Sequence, residues 1–176
     1  MKTNIALIGF MGAGKSEVGK ALAQRLGRKF IDLDFLIEKR AGKSISRIFL
    51  EDGEAAFREL EVEVTKEISQ VDNSVIACGG GIILNQVNIE RLRRKAVIVY
   101  LSADPSLLLK RVQGSEDLRP LLKGEDKERR VRELLSFREP LYKRAADIEV
   151  DTSKLDVEAV VERIISELKK DESFNL

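Results

Sequence analysis

The chain has 176 residues, 43% of them hydrophobic and 35% charged, which suits one soluble α/β domain rather than a disordered segment. Lysine plus arginine number 31 and aspartate plus glutamate 30, for a formal net charge of +1, which disfavours a general nucleic-acid or anionic-membrane surface. There is no histidine and a single cysteine, Cys78, so a Ser-His-Asp triad, a His-liganded metal, an internal disulfide and a thiolate zinc cluster are all excluded, and proton transfer falls to carboxylates and lysines.

In chain order, short apolar runs alternate with helical patterns, the signature of βαβ units around a parallel sheet. The strands are expected at Asn4–Ile8, Lys29–Leu33, Ser74–Cys78, Ala96–Leu101 and Ile148–Asp151, each apolar enough to be covered on both faces. The helices are expected at Lys15–Leu26, Asp34–Ala41, Ser44–Glu51, Glu54–Gln70, Asn85–Arg94, Pro105–Val112, Lys127–Glu139 and Val157–Lys170. Asp104-Pro105 offers a cap and a ring set for a first turn. Asp156 caps the last helix, whose Val157, Val160, Val161, Ile164, Ile165 and Leu168 keep the i, i+3, i+4, i+7 rule. Lys169–Leu176 is expected to fray. No apolar run early in the chain is long enough for a signal peptide or a bilayer span, so a cytoplasmic protein is the default.

One segment breaks the pattern. Gln113–Asp126 is polar, bracketed by Gly114 and Gly124, and lacks periodicity; a functional lid is the favoured reading and a plain solvent loop the alternative.

Gly9-Phe10-Met11-Gly12-Ala13-Gly14-Lys15-Ser16 matches G-x-x-x-x-G-K-[ST], between an apolar strand and a helical run. The motif predicts a backbone cradle for a nucleoside triphosphate, with the helix N-terminus adding positive potential. Lys15 then bridges the β- and γ-phosphates and the Ser16 hydroxyl ligates Mg²⁺. Glu17 is unusual beside such a ligand. It favours the helix dipole by about 0.3–1 kcal/mol, but facing a triphosphate ~6 Å away it costs up to ~3 kcal/mol.

Asp32-Leu33-Asp34 ends the second strand, at the edge where doubly wound sheets bind ligands. Asp32 suits an outer-shell role on Mg²⁺ waters. Asp34 suits a hydrogen bond to an acceptor hydroxyl, or serves as a helix N-cap, or both. Gly79-Gly80-Gly81 brings backbone close to a ligand or makes a flexible turn, and Cys78 reads as a small buried hydrophobe. Arg58 and Glu61 stand at i, i+3, where the carboxylate holds the guanidinium in one rotamer or the two form an ordinary surface pair. Arg119, within the lid, suits stabilisation of a transferring phosphoryl group. Arg138 suits a substrate carboxylate.

Taken together, these residues resemble the shikimate kinase family along nearly the whole chain: Gly9–Ser16, Asp32-x-Asp34, Ser44-Ile45 before Ile48-Phe49, Glu54-x-x-Phe57-Arg58-x-x-Glu61, Gly79-Gly80-Gly81, Leu118-Arg119-Pro120-Leu121-Leu122 and Arg138-x-x-x-Tyr142. The resemblance implies a three-layer αβα P-loop kinase fold with a five-stranded parallel sheet and a mobile lid. It implies one domain over 1–176, with the lid near 113–126 and the acceptor region near 34–61. It further implies transfer of the ATP γ-phosphate to the 3-hydroxyl of shikimate, with Mg²⁺. On that analogy Gly12, Ala13, Gly14, Lys15, Ser16 and Glu17 hold the phosphates, Arg119 closes over ATP, and Arg111, Lys154 and Leu155 flank the adenine. Asp34, Arg58, Gly79, Gly80, Gly81 and Arg138 surround the acceptor, and Lys15, Asp34 and Arg119 carry the chemistry. A monomer is expected. The chain departs from the family pattern at Glu17, where Thr is common, and at Cys78, where Thr is often found. The competing readings are a kinase for another small hydroxy acid such as gluconate, and a non-catalytic nucleotide-binding module.

Overall fold

The computed structural model describes residues 1–113 and 126–176. Five strands, β1 (Asn4–Ile8), β2 (Lys29–Asp32), β3 (Ser74–Ala77), β4 (Ala96–Ser102) and β5 (Ile148–Asp151), form one parallel sheet in the order β2-β3-β1-β4-β5. Among the described residues, eight α-helices surround it: α1 (Lys15–Leu26), α2 (Leu33–Ala41), α3 (Ile45–Glu51), α4 (Gly53–Ile68), α5 (Gln86–Arg93), α6 (Pro105–Gln113), α7 (Lys127–Ala145) and α8 (Val157–Leu168). The three central strands follow the expected apolar logic, since β1 and β3 are buried throughout and β4 to its sixth residue. The outer two do not. β2 and β5 are sheet edges and leave part of their length in solvent, so apolarity alone overstated their cover.

Helix starts follow local chemistry. Ser44, Asn85 and Asp156 accept hydrogen bonds from the amides of Arg47 (3.2 Å), Val87 (3.0 Å) and Ala159 (2.8 Å), each satisfying an amide that has no partner within its helix. Pro105 opens α6, and the Asp104 carbonyl accepts from the Leu107 and Leu108 amides.

Two expectations are corrected. Helix α7 does not stop at Glu139 but passes through Pro140 to Ala145. The lost amide bond is outweighed because the last turns bury Tyr142 and Ala145 against the core. Nor does the C-terminal segment fray. The Lys2 amide donates to Ser173 O (2.7 Å) and the Asn175 amide to Lys2 O (2.9 Å), while Phe174 is only 7% exposed. Arg28 lies 4.7 Å from the Phe174 ring centroid and donates to the carbonyls of Thr3 and Asn175, both at 2.5 Å. A single aromatic anchor and a snorkelling arginine thus hold a polar tail that has no helical period of its own.

The expected lid, Arg119 and the Leu118–Leu122 motif lie outside the described residues.

Candidate active site

The carboxyl ends of β1, β2 and β3 point the loops that follow them into one crevice. After β1 the chain turns through Gly12 and Gly14, at φ 81° and 86°, values that a residue with a Cβ rarely adopts. It enters α1 directly at Lys15. The Lys15 ammonium is buried and donates to the carbonyls of Gly9 (2.8 Å) and Phe10 (2.9 Å), so the loop curls around its own cation. From α6, Arg111 donates to the Gly12 carbonyl at 3.0 Å, tying that helix to the loop. A cavity of about 470 Å³ opens here, lined by Gly12–Val18, Asp32, Asp34, Cys78 and Arg111.

Ser16 donates to Asp32 Oδ2 at 2.9 Å, while Asp32 Oδ1 accepts the Phe35 amide at 3.2 Å. Asp32, not Asp34, is therefore the N-cap of α2. That leaves Asp34 in the first turn, directed at the glycine run. A Cβ on Gly79 would lie 2.8 Å from Asp34 Oδ1 and 3.2 Å from Glu61 Oε2. A Cβ on Gly81 would lie 2.7 Å from Cζ of Arg58. One on Gly80 would stand 3.6 Å from Nη1 of Arg138 and 3.5 Å from the Met11 amide nitrogen. At Gly79 and Gly81 a Cβ would collide with side chains from α2 and α4, whereas at Gly80 it would meet α7 and the phosphate loop at Met11 only in ordinary contact.

Arg58 and Glu61 are no surface pair. Arg58 donates to Glu61 Oε1 at 3.0 Å, reaches Glu54 at 3.4 Å, and lies 5.0 Å from the Phe57 ring centroid. Glu61 is 1% exposed and Arg138 2% exposed. Burial pushes the Glu61 carboxyl above its usual range; the Arg58 charge and hydrogen bond oppose this, nearby Asp34 adds to it, and Arg138 pulls it back. Nε of Arg58, Nε of Arg138 and Oε2 of Glu61 are buried and unmatched by hydrogen-bond partners. One cationic fork held by a buried carboxylate and a second fork buried nearby, with N–H groups to spare, suit a small anionic ligand.

Cys78 is buried, and burial pushes its thiol upward, so it behaves as an inert hydrophobe. Of the residues expected beside the adenine, Arg111 and Leu155 line the cavity, whereas Lys154 lines an adjoining groove with Asp151 and Arg163. Sequence reading missed Thr152, which lines the cavity just past β5 and donates to the Ser102 carbonyl at 3.0 Å. It also gave no contact to Tyr142, whose hydroxyl donates to the Gly80 carbonyl at 2.5 Å; the i, i+4 spacing from Arg138 was the available signal.

A family model described as shikimate kinase matches residues 11–169. The chain belongs to the shikimate kinase family. The shikimate kinase of Caldanaerobacter subterraneus subsp. tengcongensis is 48% identical over 92% of this chain and 94% of its own length. That of Thermodesulfovibrio yellowstonii is 45% identical over 95% of each. Among solved structures, shikimate kinase from Acinetobacter baumannii in complex with shikimate superposes with a TM-score of 0.92, at 37% identity, over 98% of this chain and 96% of that one. The P-loop αβα fold is thus that of the shikimate kinases.

Proposed function

We propose that this protein is a shikimate kinase, transferring the γ-phosphate of ATP to the 3-hydroxyl of shikimate to give ADP and shikimate 3-phosphate, on the path to chorismate and the aromatic amino acids. The observation that carries the reading is the contact between two half-sites. The triple glycine, ringed by Asp34, Arg58 and Arg138, abuts the phosphate loop at Met11, so an acceptor seated there meets the terminal phosphate without a covalent enzyme intermediate.

The geometry supports a role for each described residue, and the family resemblance supplies that of Arg119. Gly12, Ala13, Gly14, Lys15 and Ser16 receive the phosphates, with Glu17 at the rim and Arg111 and Leu155 beside the base. Arg58 and Arg138 take the acceptor carboxylate, while Asp34 orients the attacking hydroxyl and accepts its proton. The hydroxyl oxygen bonds to the γ-phosphorus as its bond to the bridging β–γ oxygen breaks, and that oxygen leaves on ADP. Lys15 and Arg119 neutralise charge as it spreads over the transferring group. The Ser16 hydroxyl and the Asp32 carboxylate, 2.9 Å apart, are hard oxygen donors that fit Mg²⁺, directly and through water respectively. When bound, Mg²⁺ supplies charge neutralisation to the β- and γ-phosphates. The acceptor region spans about 34–61, together with the glycine run and Arg138. We read the enzyme as a cytoplasmic monomer without nucleic-acid or membrane partners; among the described residues, no helix is long and apolar enough to cross a membrane.

Coupled ADP release across a panel of hydroxy acids tests the reading. Turnover with shikimate well above that with gluconate is expected. Preference for gluconate, or tight ATP binding with no ADP release, overturns it.

A further inference from the structure

We infer that Tyr142 is a positioning residue for the acceptor site, holding the Gly80–Gly81 peptide so that its N–H faces the bound acid; the inference rests on the acceptor reading above. The glycine run carries three carbonyls in succession. The short 3₁₀ turn that follows, Ile82–Leu84, uses two of them: the Ile82 amide donates to Gly79 O (3.1 Å) and the Leu84 amide to Gly81 O (3.0 Å). The turn leaves the middle carbonyl unused, and Tyr142 takes that one, at 2.5 Å. Without a Cβ, the Gly80–Gly81 peptide rotates at little steric cost, so its direction must be imposed from outside the turn.

The restraint is rigidly mounted. Tyr142 is fully buried, and its ring stacks on Tyr100 at 5.0 Å between centroids and 20° between planes. Tyr100 in turn pairs in register with Ile8, the residue immediately before the phosphate loop. Because a trans peptide is planar, its C=O and N–H point in opposite directions. Fixing the Gly80 carbonyl on Tyr142 therefore sends the Gly81 N–H away from α7. Gly81 is the glycine packed against the Arg58 guanidinium, and among the described residues no acceptor bonds the three glycine amides. Arg138 and Tyr142, one helical turn apart on α7, thus divide the work: one meets the ligand's charge and the other aims a backbone donor at it.

The test is Tyr142→Phe, which removes the hydroxyl and keeps the stack. The KM for shikimate is expected to rise roughly five- to ten-fold, with kcat and the KM for ATP little changed. An unchanged shikimate KM overturns the assignment, as does a parallel rise of both KM values with a fall in Tm, which marks a merely structural role. A second measurement needs only the unmodified chain: hydrogen exchange at the Gly81 amide should slow when shikimate is added. No slowing, in an enzyme that turns shikimate over, sinks the inference alone. No turnover with shikimate sinks the acceptor reading, and the inference with it.

Discussion

On the proposed reading, the nucleotide end and the acceptor end of this crevice solve the same problem, binding an anion, by different means. The phosphate loop is one contiguous stretch whose cations rest on main-chain carbonyls: Lys15 on Gly9 and Phe10, Arg111 on Gly12. The acceptor floor is assembled from α2, α4, α7 and a glycine turn, and its Arg58 is steadied by a buried carboxylate. Carbonyl dipoles are weak, replaceable partners, so on the proposed reading those two bonds yield readily to a polyphosphate. A full negative charge is a stronger partner, which keeps Arg58 in place even without substrate. The first half is a general grip and the second a fitted one.

The sharpest way to break that contrast is to remove one cation from each half. Lys15→Ala should lower kcat roughly a hundred- to a thousand-fold with the shikimate KM nearly unchanged, because the lysine acts on the transferring group. Arg58→Ala should instead raise the shikimate KM roughly ten- to a hundred-fold with a smaller effect on kcat. Steady-state kinetics in both substrates separate the two; an unchanged acceptor KM in the second variant would mean that this arginine does not hold the acid. A smaller effect is expected at Glu17, an exposed carboxylate on the rim of the nucleotide cavity. Glu17→Thr should tighten ATP binding roughly three- to ten-fold at low salt, less as salt is added, measured by calorimetry; unchanged or weaker binding refutes the repulsion.

The finest probe concerns the carboxylate itself. Since burial raises the Glu61 pKa in the fold, its contribution to stability is greatest below the ordinary carboxylate value and declines as pH rises through the raised one. The Tm difference between wild type and Glu61→Gln should therefore move against the wild type as pH rises above the ordinary carboxylate value and through the raised one, by on the order of 2–4 °C, and level off beyond it. A difference that stays flat with pH removes the buried-charge account.

Legibility in the sequence follows the same division. The loop, its strand and its helix were readable because the signal is local, a spacing of glycines and a lysine between two clear periodicities. The order of strands and helices was readable for the same reason. What depended on distant neighbours was not. Pro140 looked like a terminator because its cost is local, whereas the burial of Tyr142 and Ala145 that overrides it is tertiary. The last residues looked unstructured because their partners, Lys2 and Arg28, lie more than a hundred residues away. The sequence offered Asp34 as a possible cap of α2, and only the backbone path assigns the cap to Asp32 and leaves Asp34 to the crevice. Arg58 and Glu61 were correctly spaced for a pair, yet spacing alone does not distinguish an exposed pair from one that is sealed under a glycine turn.

One feature of the core has a practical side. The chain has no tryptophan and two tyrosines, and those two are the stacked pair between β4 and α7. Exciton-coupled phenols in a fixed frame dominate the long-wavelength edge of the near-ultraviolet circular dichroism. An event at the acid-binding turn therefore carries its own label, and titration without any fluorophore or tag can follow occupancy in the native enzyme.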